Sequence, residues 1–235
     1  MKNLTPQDLS AIEAAVRSAE VRTTGEIYCV LAEESSDYHA TPLAWAAGVA
    51  LLAPALLLLA GIHVTAPEMT IVGGWTADQV EDVGEATARA ALIGTLLMQG
   101  LLFVGTMLLV AIPPVRRALT PRGMKRDRVR QRAEEQFIAK NLHATRERTG
   151  LLIYVSAAER MAELIADETI HAHVDDGVWE KAMAALTAGL KRGEPAAGFA
   201  EAIGQCADIL ATHFPARLGD NPNELPDAVV VLPRA

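Results

Sequence analysis

Residues 42–64 read PLAWAAGVALLAPALLLLAGIHV and residues 91–112 read ALIGTLLMQGLLFVGTMLLVAI; neither run contains Asp, Glu, Lys or Arg. At 1.5 Å per residue each would form a helix of about 33–35 Å, enough to cross a hydrocarbon core of about 30 Å. A soluble helix of that length keeps a polar face, and these runs have none. The pair predicts a transmembrane hairpin, and the rest of the chain has to be read around it.

Charge sets the orientation. Arg116, Arg117, Arg122, Lys125, Arg126, Arg128, Arg130 and Arg132 follow the second run with only Asp127 among them, whereas the connecting segment carries Glu68, Asp78, Glu81, Asp82 and Glu85 against Arg89. Basic flanks stay inside. Residues 1–41 and 113–235 are therefore expected in the cytoplasm, with 65–90 as the external loop of an inner-membrane protein whose termini are both cytoplasmic. The net charge of −8 reflects the water-facing majority and masks the spans. Mixed-charge residues precede Leu43, so a retained N-terminus is expected rather than a cleaved leader. Trp45 and Trp75 suit an interfacial belt or ordinary packing, and Pro54 is expected to bend the first span. Cys29 and Cys206 lie in apolar-patterned elements outside any CxxC spacing, as buried thiols in a reducing compartment would.

The flanking segments read as two parts of one α/β domain, 1–41 and 133–235, with 113–132 as a basic juxtamembrane segment. Thr5-Pro6-Gln7-Asp8 opens a helix over 6–21 with Leu9, Ile12, Val16 and Ala19 on one face. Thr24-Gly25 breaks it, and residues 26–32 (EIYCVLA) form a strand buried on both faces. Val129, Ala133, Phe137 and Leu142 mark a helix expected to close at Thr149-Gly150, with the glycine as a left-handed cap. Residues 151–156 form the next strand. Met161 to Asp167 suits an antiparallel partner after so short a linker, although Met161-Ala162-Glu163-Leu164 also fits a helix. Helices follow over 178–191, carrying Trp179, and around Phe199 to Phe214, separated by Gly193-Glu194-Pro195. Gly219-Asp220-Asn221-Pro222-Asn223 turns into a last strand over 227–232. The sum is a mixed sheet with helices on both faces, interrupted by a two-helix hairpin.

Arg22-Thr23-Thr24-Gly25-Glu26-Ile27, Arg148-Thr149-Gly150-Leu151-Leu152-Ile153, Glu163-Leu164-Ile165-Ala166-Asp167, the Trp179 helix and Asn223-Glu224-Leu225-Pro226-Asp227 together resemble the TPM domain family, here with a transmembrane insertion. The resemblance implies an α/β/α sandwich, and a role among those described for the family: acid phosphatase, metal binding, or structural and assembly factor. It supplies no catalytic residue. Many relatives place the domain in a lumen or periplasm, whereas the basic flank places it in the cytoplasm.

The chain contains no GxxxxGK[ST], no GxGxxG after a strand, no HExxH and no cysteine-rich cluster. His171-Ala172-His173 with Asp175-Asp176 offers zinc-type ligands or a solvated turn. Beyond the strand ends lie Glu33, Glu34, Asp37, Ser156, Glu159, Asp167 and Glu168. Ligand sites of open α/β sheets gather past the carboxyl ends of parallel strands, so Glu34 and Asp37 are the candidate oxygen ligands for a hard cation, Ca²⁺ or Mg²⁺. An antiparallel third strand would point Asp167 away from them. The basic segment lacks interleaved aromatics, which argues against nucleic acid and for anionic lipid headgroups. The expected role is a protein-interaction module for assembly of another membrane protein, and the alternative is a metal-assisted phosphatase.

Overall fold

The computed structural model describes residues 4–61, 77–217 and 222–233. The loop read around Gly73-Gly74-Trp75, the end of the first apolar run at Ile62 to Val64, and Gly219-Asp220-Asn221 lie outside the described residues. The chain divides into two compact units, Met1–Asp37 with Arg122–Ala235, and Tyr38–Pro121.

The first unit is built on a four-stranded sheet: β1 (Glu26–Ala32), β2 (Gly150–Ser156), β3 (Met161–Ala166) and β4 (Val230–Leu232), in the order β3-β2-β1-β4. β1 runs parallel to β2, with Ile27 opposite Leu151, and parallel to β4, with Val30 opposite Val230. β3 is antiparallel to β2, with Leu152 opposite Ile165. β1 is a central strand buried along its whole length, which is why its sequence after Glu26 is apolar on both faces rather than alternating.

Helices cover both faces. Ile27, Cys29, Leu31, Leu151, Ile153 and Val155 pack against α1 (Pro6–Glu20), α6 (Glu168–His173), α7 (Glu180–Arg192) and α8 (Pro195–His213). Tyr28, Val30, Ala32, Leu152 and Tyr154 pack against Val129, Ala133 and Phe137 of α5 (Arg122–Ala139). α1 starts in a capping box, with the Thr5 side chain accepting from the Asp8 N–H and Asp8 accepting from the Thr5 N–H at 2.8 Å. α7 and α8 approach closely at two glycines, where a Cβ on Gly189 would fall 2.5 Å from the Gly198 Cα. Cys29 and Cys206 are buried free thiols in the same core, and burial pushes the Cys206 thiol up to about 12.

Several boundaries differ from those read in the sequence. α5 stops at Ala139, before Thr149-Gly150. Asn141 is the left-handed residue (φ 57°), and Leu142 lies in a short 3₁₀ turn, Leu142–Ala144. Gly150 instead opens β2, where a Cβ would collide with the Leu142 carbonyl. β4 is shorter than the predicted strand and covers only Val230–Leu232. The histidine turn is helical in α6.

The second unit contains α2 (Ala40–Leu59), α3 (Ala77–Ala111) and α4 (Pro113–Leu119). α3 starts at Ala77, so residues 77–90, read as loop, are helical. α2 and α3 pack together, and the buried positions are small or β-branched: Ala46, Ala50 and Val110. Large apolar side chains point outward, among them Leu51, Leu56, Leu97, Leu101 and Leu108. The Trp45 indole donates to the Leu119 carbonyl (3.3 Å), and the Thr41 and Thr120 hydroxyls bond at 3.1 Å. Two helices are long and apolar enough to cross a membrane, over Ala40–Leu57 and Arg89–Ala111, with mean hydropathy 1.7 and 2.0.

Candidate functional site

Three polar places surround the sheet, and the first is the carboxyl end of β1 and β2. The chain leaving β2 bonds back to the end of β1, the Ala157 N–H to the Ala32 carbonyl and the Ala158 N–H to the Glu33 carbonyl, both at 2.9 Å. This brings Ser35 beside Tyr154 and Ser156, with hydroxyl contacts of 3.0 and 2.8 Å. Ser156 donates to Glu159, and the Ser35 N–H reaches the same carboxylate at 3.4 Å. All four side chains are buried, so the network closes the strand ends rather than lining an open basin. Burial raises the Tyr154 phenol, keeping it a neutral partner. Glu34 is buried beside this network and Asp37 is half-buried. Ser35 and Tyr154 were not singled out in the sequence; a hydroxyl between Glu34 and Asp37 was the available signal.

Asp167 and Glu168 lie at the opposite end of the sheet, since β3 is antiparallel and the Asp167 N–H bonds the Gly150 carbonyl (2.9 Å). Asp167 caps α6 through the Glu168 N–H at 2.7 Å. His171 and His173 are exposed on α6, and the His173 Nδ1 lies 2.8 Å from the Thr169 carbonyl of its own helix. Among the described residues, no group of three His, Cys, Asp or Glu side chains is placed to hold a metal ion.

The second place, at the amino end of β1, escaped the sequence reading. Glu20 at the end of α1 accepts the Ile27 N–H (3.1 Å), Glu26 accepts the Leu225 N–H (3.1 Å), and Glu224 accepts the Arg146 N–H (2.8 Å). Asp227 takes Arg17 Nε at 3.1 Å and Asn223 Nδ2 at 2.5 Å. The stretches around Glu26 and Glu224, which carried the resemblance, are thus joined by one hydrogen bond. Burial raises the Glu20 carboxyl to about 8, opposed by the Ile27 N–H and reinforced by Glu26 and Asp227. Burial thus favours the protonated form of Glu20, with Asp227 beside it. A carboxylate at the head of an otherwise apolar strand, Glu26, was the signal for this cluster.

The third place is a cleft of about 360 Å³ along the outer edge of β3. Arg126 and Arg130 of α5 form one wall, Trp179, Glu180 and Met183 form the other with His171, and residues 162–165 form the floor. Glu163 lies 3.8 Å from Arg126; burial raises its carboxyl against the pull of Arg126 and Arg130. The cleft sets the outer edge of β3 between a basic wall from α5 and a wall of Trp179, Met183, Glu180 and His171.

A family model for the TPM domain matches residues 115–209, from within α4 to within α8. The NMR structure of the BA42 protein from the psychrophilic bacterium Bizionia argentinensis is similar in fold, with a TM-score of 0.54 at 18% identity over 98% of this chain and 96% of that one. No curated protein matches. The segment similar to the TPM domain supplies α5, β2, β3, α6, α7 and most of α8, and β1 and β4, which complete the sheet, lie outside it.

Proposed function

We propose that this chain is an integral inner-membrane protein, anchored by α2 and α3, whose TPM domain serves in the cytoplasm as an interaction or assembly module for another membrane protein. The anchoring rests on the inverted packing of the hairpin. A water-soluble helix pair buries its leucines, whereas this one buries Ala46, Ala50 and Val110 and turns Leu51, Leu56, Leu97, Leu101 and Leu108 outward. Small residues at a helix contact with large apolar residues outside is the arrangement suited to lipid. The basic residues from Arg116 to Arg132 are assigned to anionic headgroups, at about 1 kcal/mol per side chain near such a surface.

The interaction role is carried by the β3-edge cleft, which presents a backbone to be bound rather than a reacting group. Deleting the chain is expected to lower the abundance or complex size of a particular membrane protein on native gels, with recovery on restoring the wild type; an unchanged membrane proteome refutes the role. Orientation is checked with single cysteines at positions 74 and 234 in a background lacking Cys29 and Cys206. An impermeant thiol reagent should label 74 in intact cells and leave 234 untouched, and the reverse pattern overturns the topology.

The second reading is phosphomonoester hydrolysis assisted by Ca²⁺ or Mg²⁺ at Glu34 and Asp37, favoured by their place in the segment that follows β1, where Ser35 joins Ser156 and Glu159. Two carboxylates leave most of a hard cation's six to eight oxygen positions to water or substrate, so the fit is that of a weak site. The bound cation would polarise a phosphoryl oxygen. Chelator-sensitive phosphate release by the pure protein, lost in Asp37→Ala, would establish this reading over the first.

A further inference from the structure

We propose that the outer edge of β3 binds an extended segment of a partner polypeptide as an added strand, with acidic side chains facing α5 and lysines between them facing α7. The proposal deepens the interaction reading above by naming the surface and the chemistry of its ligand.

The edge is available. The Asp167 N–H to Gly150 carbonyl bond fixes which pairs along β2 and β3 exchange hydrogen bonds: Leu152 with Ile165, and Tyr154 with Glu163. The alternation of an antiparallel ladder then turns the backbone N–H and C=O of Ala162 and Leu164 away from β2, into the cleft. Among the described residues no strand pairs with that side. The opposite edge is blunted: β4 has only three residues and is followed by Pro233. β3 has six residues, long enough for an added strand to gain several main-chain bonds.

The walls choose the ligand. Arg126 and Arg130 are one helical turn apart, about 6 Å along the axis, close to the roughly 6.8 Å between alternate side chains of a strand. Their existing partners are exchangeable. Arg126 is 3.8 Å from Glu163, longer than a charge-assisted hydrogen bond, and Arg130 shares an exposed pair with Glu134 at 3.0 Å. Acids at alternate positions of a bound strand would meet the two guanidiniums. The intervening side chains meet Trp179 and Met183 with Glu180 among them, and Ala162 on the strand leaves room there. Lysine fits, laying its aliphatic stem on the apolar surface and its ammonium at the carboxylate. A second copy of β3 fits poorly. Two-fold pairing of the edges would set the basic half of one α5 beside the same half of the other.

The test uses the full chain in detergent micelles and a dye-labelled nonapeptide of strictly alternating Glu and Lys, read by fluorescence anisotropy. One control has the same composition in Glu-Glu-Lys-Lys order, which mixes charge on both faces; a second is N-methylated at alternate amides, which removes the strand hydrogen bonds and keeps the charge. The alternating peptide should bind, each control should weaken it about tenfold or more, and Arg126→Glu with Arg130→Glu should do the same, as expected for losing one to two kcal/mol of paired charge. Equal binding of either control, or no binding at millimolar peptide, overturns the proposal. Those results leave the assembly role standing, because that role is judged on the abundance of the partner and not on this peptide.

Discussion

Replacing Glu20 with Gln should flatten the stability of the α/β unit against pH. The folded Glu20 carboxyl is raised to about 8 from an ordinary 4.5, chiefly by burial. Between those values the folded chain keeps a proton that the unfolded chain has lost. Stability therefore falls as pH rises through this window, by up to about 1.4 kcal/mol per pH unit, with a ceiling near 5 kcal/mol. Local opening lowers that ceiling. The cover over Glu20 includes the segment from Asn223 to Asp227, which leads into a strand of only three residues, so parting that segment hydrates the carboxylate without unfolding the sheet. A net loss of about 2–3 kcal/mol between pH 5 and 9 is the expected size. Gln keeps the acceptor for the Ile27 N–H and supplies an N–H toward Asp227 in place of the carboxyl O–H. The variant should match the wild type near pH 5 and exceed it by that amount at pH 9. Denaturant unfolding in micelles, followed by buried Trp179 in a Trp45→Phe, Trp75→Phe background, gives the comparison. Other raised carboxyls, Glu26 and Glu163, are common to both proteins and cancel in the difference. Parallel pH profiles, or a variant less stable at pH 9, would refute the reasoning.

Joining Asp37 to Arg122 by a short flexible linker should give a soluble domain that unfolds cooperatively, and removing residues 1–37 from it should abolish the transition, since β1 pairs with both β2 and β4. An unchanged midpoint after that removal sinks the split-domain account. Gly189→Ala should cost about 1–3 kcal/mol, because its Cβ would press on Gly198, while Gly204→Ala on α8, with open space around it, should be neutral or stabilising by up to about 1 kcal/mol. Equal midpoints for the two variants would contradict the close packing of α7 on α8. Millimolar Ca²⁺ or Mg²⁺ should raise the melting temperature of the linked domain through Glu34 and Asp37, reaching about 2.7 kcal/mol at a hundredfold excess over Kd. No shift, or one lost in His171→Ala and kept in Asp37→Ala, removes that site.

What the sequence made legible follows from which forces are local. The capping box at Thr5, the continuous apolar run of β1 and the short link before Met161 each encode their structure within a few residues, and the helix, the central strand and the antiparallel pair form accordingly. Gly150 misled because a glycine after a helical pattern fits two backbone roles. Only the approach of the Leu142 carbonyl, set by the fold, selects the strand role. Glu20 and Asp227 are 207 positions apart in the numbering, and no periodicity links them, so their proximity is a property of packing alone. The β3-edge cleft was invisible for the same reason: its walls come from α5 and α7, on opposite faces of the sheet.

The place of the insertion has a physical logic. Parallel strands cannot be joined by a tight turn, so the path from β1 to β2 has to leave the sheet, cross a face and return, and α5 makes that crossing. Everything between Asp37 and Arg122 lies in the outgoing limb of this crossover, where added residues leave the pairing of β1 with β2 undisturbed. The same number of residues placed between β2 and β3 would fall in a tight antiparallel connection and break the register that sets Glu163 opposite Tyr154. An insertion in the β1–β2 crossover leaves that pairing, and with it the free edge of β3, unchanged. The proposed anchor and the proposed recognition edge can therefore occupy one chain, because the apolar helices lie in a connection that the parallel pairing of β1 with β2 requires to be long, and the edge belongs to the strand furthest from β4.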